Sequence, residues 1–184
     1  MQHINNTPAS RPEKKTAIYL FLLLFLLPIA ALAEAATPPG KTPGVNALTQ
    51  ALGHWGVNNC SDRVNQVSTF VGFNPSSAAM ALMPPTQANQ RMIPITMEIP
   101  TETGTAYVSA NFAPNQANHC GASYDAVVYW EKACNKVAED QFKIYKNIGP
   151  LGKDLTVLDG GIATKVFLMT AGSGCVSIKK EVLL

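Results

Sequence analysis

Residues whose types could support chemistry are few in this 184-residue chain, and they are widely spaced. Beyond the first 33 residues there are two histidines, His54 and His119. Neither belongs to a His-Glu-x-x-His pattern, and the chain has no P-loop and no Gly-x-Ser-x-Gly elbow. Gly172-Ser173-Gly174 sets a serine between glycines, but those residue types are the ones a hairpin turn requires. A Cys–His nucleophile pair, such as Cys120 with His54, needs a reduced thiol. The four cysteines, Cys60, Cys120, Cys134 and Cys175, are even in number and contain no Cys-x-x-Cys, so they read as two disulfides rather than a zinc site. The acidic side chains are scattered, with no pair standing out as an acid and a base. Met80, Met83, Met92 and Met97 could offer thioethers to Cu(I), but their spacing suits packing against a core. No catalytic, cofactor-binding or metal-ligating residue is assigned, and no cofactor is expected.

Recognition chemistry is better represented. Pro85-Thr86-Gln87-Ala88-Asn89-Gln90 and Pro114-Asn115-Gln116-Ala117-Asn118-His119 share a P-x-Q-A-N core and are polar and uncharged up to the terminal histidine. Amides both donate and accept, which suits glycans, peptides or protein backbone. Gly53-His54-Trp55-Gly56 adds an aromatic residue that could stand at the surface or cover the core. The candidate recognition residues are therefore His54, Trp55, Gln87, Asn89, Gln116, Asn118 and His119. Asn59-Cys60-Ser61 fits a glycosylation sequon, but a bridged Cys60 would crowd it.

The elements that must position these residues follow from periodicity. Residues 45–52 predict a short helix stopped by Gly53. Ser61 predicts an N-cap for a second helix ending at Gly72, with Val64, Val67 and Val71 on one face. Residues 76–82 predict one more helical turn before Pro84-Pro85. Ile93, Ile95, Met97 and Ile99 then alternate with Pro94, Thr96 and Glu98, a strand that Pro94 places at a sheet edge. A second strand carries Ala106, Val108, Ala110 and Phe112, and a third, Tyr124 to Trp130, reads as buried on both faces. Cys134, Ala138, Phe142 and Tyr145 form a helical stripe ended by Gly149-Pro150. Three strands near 155–158, 162–170 and 175–182, separated by glycine turns, form an antiparallel meander.

The expected fold is α+β: N-terminal helices, then a mainly antiparallel sheet of about six strands with one helix between strands 3 and 4, and two disulfides. If consecutive elements alternate in direction, Cys175 begins at the end of the sheet where Cys120 lies. That predicts the pairs Cys120–Cys175 and Cys60–Cys134. A Cys120–Cys134 bridge is disfavoured, because a nine-residue strand would separate its ends by about 30 Å.

Residues 1–33 read as a cleaved secretory signal. Arg11, Lys14 and Lys15 precede an apolar run from Ala17 to Leu27, and Ala31-Leu32-Ala33 offers small residues for cleavage. As an uncleaved anchor the run is short, about 16 Å of helix against a hydrocarbon core of about 30 Å. Residues 34–44 read as a flexible segment, and 45–184 as a single domain. The leader holds three of the 14 basic residues and one of the 12 acidic ones, so its charge is the whole net +2 and the remainder is neutral. A phosphate-driven nucleic-acid binder is therefore disfavoured. The expected protein is a small exported binding protein, periplasmic or secreted and without catalysis, such as an inhibitor, an immunity-type protein or an envelope accessory factor. Its partner would be another protein or an envelope or extracellular ligand, with no nucleic acid and no stable membrane span after cleavage. The alternatives are a secreted enzyme with dispersed catalytic residues and a periplasmic copper-binding protein.

Overall fold

The structure, a computed structural model, describes residues 44–183. The leader over 1–33 and all of the 34–44 segment except Gly44 lie outside the described residues. The architecture is α+β, with three helices on an antiparallel sheet. In chain order come α1 (Ala47–His54), α2 (Ser61–Phe70), β1 (Ala78–Ala81), β2 (Ile93–Thr101), β3 (Gly104–Asn115), β4 (His119–Trp130), α3 (Cys134–Gln141), β5 (Lys146–Leu151), β6 (Leu155–Asp159), β7 (Thr164–Ala171) and β8 (Gly174–Leu183). A short 3-10 turn covers Ala88–Gln90. The sheet has eight strands in the order β1-β2-β3-β4-β8-β7-β6-β5, not six, and the helix α3 lies between strands 4 and 5 rather than 3 and 4.

Both additional strands are edge strands, and each was expected to be helical. Residues 78–81 pair with β2 instead of forming a helical turn, and Ala81 packs against the core beside the β2 apolar row. Tertiary pairing overrides the intrinsic preference of alanine. Leu82 N–H donates to the Pro94 carbonyl at 2.9 Å, so the even-numbered residues of β2 turn their backbone toward β1. Pro94 and Pro100, which cannot donate, therefore bracket β1 at its two ends. The β2 strand is consequently second from the edge rather than at it. At the opposite edge, residues expected to finish the third helix form β5, with a register shift between Asn147 and Gly149 and a positive φ at Gly149. Pro150 is tolerated there because an edge strand does not need every N–H.

That one missed strand also explains the disulfides. The observed bridges are Cys60–Cys120 and Cys134–Cys175, with Cα separations of 5.1 and 5.0 Å, so the predicted pairing is wrong. Counting β5 adds one reversal of direction. The antiparallel pairings of β5 to β6, β6 to β7, β7 to β8 and β8 to β4 place the start of β8 beside the end of β4, with Cys175 opposite Trp130. Cys175 thus begins next to Cys134. The disfavoured Cys120–Cys134 bridge is absent from the pairing.

All three helices serve one face. Val64 and Val67 of α2 and Leu48 and Leu52 of α1 cover Ile93, Ile95, Met97 and Ile99 of β2, Val108 and Phe112 of β3, and Tyr124 of β4. A second, smaller cluster sets Val137 of α3 against Leu158, Val166, Leu168 and Cys175, with Trp130 at its border. Each cluster has its own disulfide, running from the N-terminus of a helix to the second residue of a central strand. The N-cap of α2 is Cys60 rather than Ser61, which is its first helical residue.

The opposite face carries no described helix. Read across β6, β7, β8 and β4, it presents the row Leu155, Met169, Val176, Tyr129, and beside it Val157, Phe167, Ile178, Val127, continued by Tyr107 of β3. A third row holds Asp159, Lys165, Lys180 and Asp125. Tyr107 is 49% exposed and Tyr129 46%. Among the described residues, β4 is therefore covered by helices on one face, not two.

Candidate functional site

The start of β2, the end of β3 and the start of β4 share one end of the sheet, because neighbouring strands are antiparallel. The loop after α1 lies at this end. Trp55 caps α1: Gly56, in the left-handed region, donates to the Gly53 carbonyl, and Val57 N–H to the Leu52 carbonyl, both at 3.0 Å. This is a Schellman motif with buried Val57 as its apolar contact. The helix runs one residue past the expected Gly53 stop, and the indole of Trp55 remains 57% exposed.

Trp55 and Gln87 meet in a groove of about 460 Å³, completed by Met83, Pro84, Pro85, Thr86 and Ala88, none of them ionisable. Asn89 lies behind it. Its Oδ1 accepts the backbone N–H groups of Asn58 and Asn59 at 2.8 and 2.5 Å, and Asn59 Nδ2 donates to the Asn89 carbonyl at 2.9 Å. Asn89 therefore fastens the first P-x-Q-A-N segment to the loop leading into Cys60, and the Asn59 amide of the sequon is engaged in the same contact.

The Cys60–Cys120 bridge joins that loop to the second segment, at the turn between β3 and β4. Asn118 and His119 line a groove of about 230 Å³ with Asn59, Asp62, Arg63, Gln66 and Cys120. Arg63 Nε donates to the Cys120 carbonyl at 3.2 Å and Nη1 to Gln66 Oε1 at 2.9 Å. His54 and Gln116 are exposed but line neither groove. Gln87 (φ 57) and His119 (φ 68) are the only non-glycine residues with positive φ among the described residues, and each belongs to one of the two segments. Such backbone persists only where its surroundings hold it.

Sequence reasoning missed Asp62, Arg63 and Gln66 as neighbours of His119. Their single signal was a place on the α2 surface, which says nothing about what packs beside it. It also missed a polar cluster on the helix-bearing face of the sheet, beside Phe70 of α2. Tyr124 donates to Glu181 Oε2 at 2.8 Å, Lys179 Nζ lies 2.7 Å from the same oxygen and donates to the Tyr124 hydroxyl at 3.1 Å, and the ammonium sits 4.8 Å from the centre of the Phe70 ring. Burial pushes the Tyr124 phenol up to about 12. Burial opposes the charges of Lys179 and Glu181, but their mutual bond and that of Tyr124 outweigh it, so Lys179 rises and Glu181 falls. All three shifts lead away from pH 7, so the three groups keep their charge states around neutral pH.

The methionines part company. Met97 is in the core, Met83 packs against it, and Met80 and Met92 are exposed. Among the described residues no group of three or more His, Cys, Asp or Glu could hold a metal ion, and no helix is long and apolar enough to cross a membrane. No family model matches this chain, and no curated protein or solved structure matches it either.

Proposed function

We propose that this chain is a small exported binding protein, held by two disulfides, that engages a protein or an envelope or extracellular ligand through the end of the sheet bearing Trp55, Gln87, Asn118 and His119. The observation that carries this reading is the convergence of the two P-x-Q-A-N segments. One is fastened by Asn89 and the other by Cys120 to the same loop, and each opens onto a groove. Recognition there is short-range: an exposed indole and neutral amides on a rigid frame, the composition favoured where partners are bound without a large field. Two disulfides support an oxidising destination, periplasmic or extracellular, consistent with the leader reading.

The test is affinity recovery from an envelope or culture-fluid fraction, with the disulfide-bonded protein as bait and Trp55→Ala and His119→Ala beside it. Reproducible recovery of one partner by the native chain, reduced by both variants, supports the reading. Recovery unaffected by either variant moves the site elsewhere. Substrate turnover by the purified protein, with no partner recovered, overturns it.

A further inference from the structure

We infer that two copies of this chain stack the sheet faces opposite their helices about a two-fold axis running along β8. This goes beyond the reading above and uses none of its residues.

The face shows what a protein interface needs at its centre. Val176 and Ile178 of β8 are flanked by Met169 and Phe167 on β7 and by Tyr129 and Val127 on β4, with no described helix over them. Contiguous apolar surface of this kind marks interaction sites. Seven strands share the overlap about such an axis. At about 4.8 Å between strands and about 3.3 Å per residue along them, the overlap is on the order of 700 Å² per copy. A standard interface buries roughly 800 Å² per partner.

The pattern of side chains favours a second copy over an unrelated partner. An axis along β8 exchanges β4 with β7 and β3 with β6. In the charged row, Asp125 stands one strand to one side of β8 and Lys165 one strand to the other. The two-fold therefore sets Asp125 of each copy against Lys165 of the other, twice. A partner of single charge sign would meet both signs in that row. In the apolar rows Phe167 falls opposite Val127 and Tyr129 opposite Met169, while Val176 and Ile178 meet their own counterparts. Within each copy Lys180, on the axis, pairs with Asp125 at 2.8 Å and Lys165 with Asp159 at 2.9 Å, so the two-fold sets two neutral pairs of one copy against the same two of the other. Self-pairing of one patch is the requirement of an isologous dimer, and aligned sheets pack face to face at about 10 Å. Because the axis runs parallel to the strands, both Trp55-bearing ends would point the same way, and a repeated ligand would meet two sites at once.

Sedimentation velocity on the purified disulfide-bonded protein, over a concentration series, tests the proposal. The expected native species is a dimer. Val176→Lys should weaken it by at least roughly tenfold, since two lysines would face each other on the axis of an apolar contact. Asp125→Lys should weaken it too, because the new lysine would stand beside Lys180 in its own copy and against Lys165 of the other. Near-ultraviolet circular dichroism shows whether each variant keeps its tertiary packing. A folded native protein that stays monomeric at every concentration overturns the proposal, including the case in which this face instead captures a different protein or a lipid vesicle. A dimer indifferent to Val176→Lys overturns it too.

Discussion

The Tyr124 hydroxyl donates to Glu181 Oε2 at 2.8 Å across the pairing of β4 with β8, and Lys179 closes the triangle. The contact ties the first half of the sheet to the strand that completes the second. Its titration gives stability a defined dependence on pH. The unfolded chain loses the tyrosine proton near 10.0, whereas the folded protein holds it to about 12. Stability is therefore complete below pH 10 and declines as pH rises toward 12. The raised Lys179 adds to the same limb above 10.5. Glu181 has the opposite sign: its contribution is present above 4.5 and fades as pH falls below it. Denaturant midpoints across pH should show both limbs, and Tyr124→Phe should flatten the alkaline one. Tyrosinate absorbance should reveal one late-titrating phenol that the variant lacks.

The disulfides close loops of 60 and 41 residues. In the chain-entropy account each is worth about 4 kcal/mol. Cys134→Ser with Cys175→Ser is expected to lower stability by about that amount and to loosen α3 first, because the α3 cluster is the smaller of the two. Non-reducing digestion should release peptides joined as Cys60–Cys120 and Cys134–Cys175. A Cys120–Cys175 peptide would contradict the topology.

Gly174 opens β8 beneath the ring of Tyr129. A Cβ there would run into the Trp130 carbonyl oxygen and the Tyr129 phenol. One of those atoms is backbone, so the neighbour cannot simply rotate away. Gly174→Ala should cost about 1–3 kcal/mol in denaturant unfolding. A neutral result would mean that the register of β4 against β8 differs from the one described.

Gln87 and His119 hold left-handed backbone without being glycine. Replacing either by glycine removes that penalty and should leave stability unchanged or raise it by up to about 1 kcal/mol. The same replacements should weaken partner binding, because they delete the side chains that face the two grooves. Thermal melts and binding assays moving in opposite directions are the expected result. A fall in stability would show that these side chains serve the fold instead.

The meander is legible in the sequence because Val176, Ile178 and Val182 alternate with polar residues between glycine turns, and period and punctuation agree there. The Ala78–Ala81 and Lys146–Leu151 strands are not legible, because edge strands take their conformation from a neighbour. Three alanines with one methionine, and a Gly149-Pro150 pair, carry no alternation of their own. Missing the second of these reversed the parity of the chain and exchanged the cysteine partners. At the candidate site, Trp55 and the two P-x-Q-A-N segments stand out by residue type. Their convergence depends on strand order and on a disulfide, and neither is encoded locally. The Tyr124, Lys179 and Glu181 cluster was out of reach for the same reason: its members meet only once β8 is known to lie against β4.

The last described strand occupies the middle of the sheet, between β4 and β7. For a chain delivered N-terminus first, that placement sets an order of events. The half built from α1, α2 and β1 to β4 has its apolar cluster and its disulfide partners in hand by Tyr124, whereas α3 and β5 to β7 have neither a seam to dock on nor a partner for Cys134 until Cys175 arrives. The β8 strand is thus a keystone. Until it is in place the two halves are separate bodies, β4 and β7 present bare edges that invite pairing with other chains, and Cys134 is a thiol open to the wrong bridge.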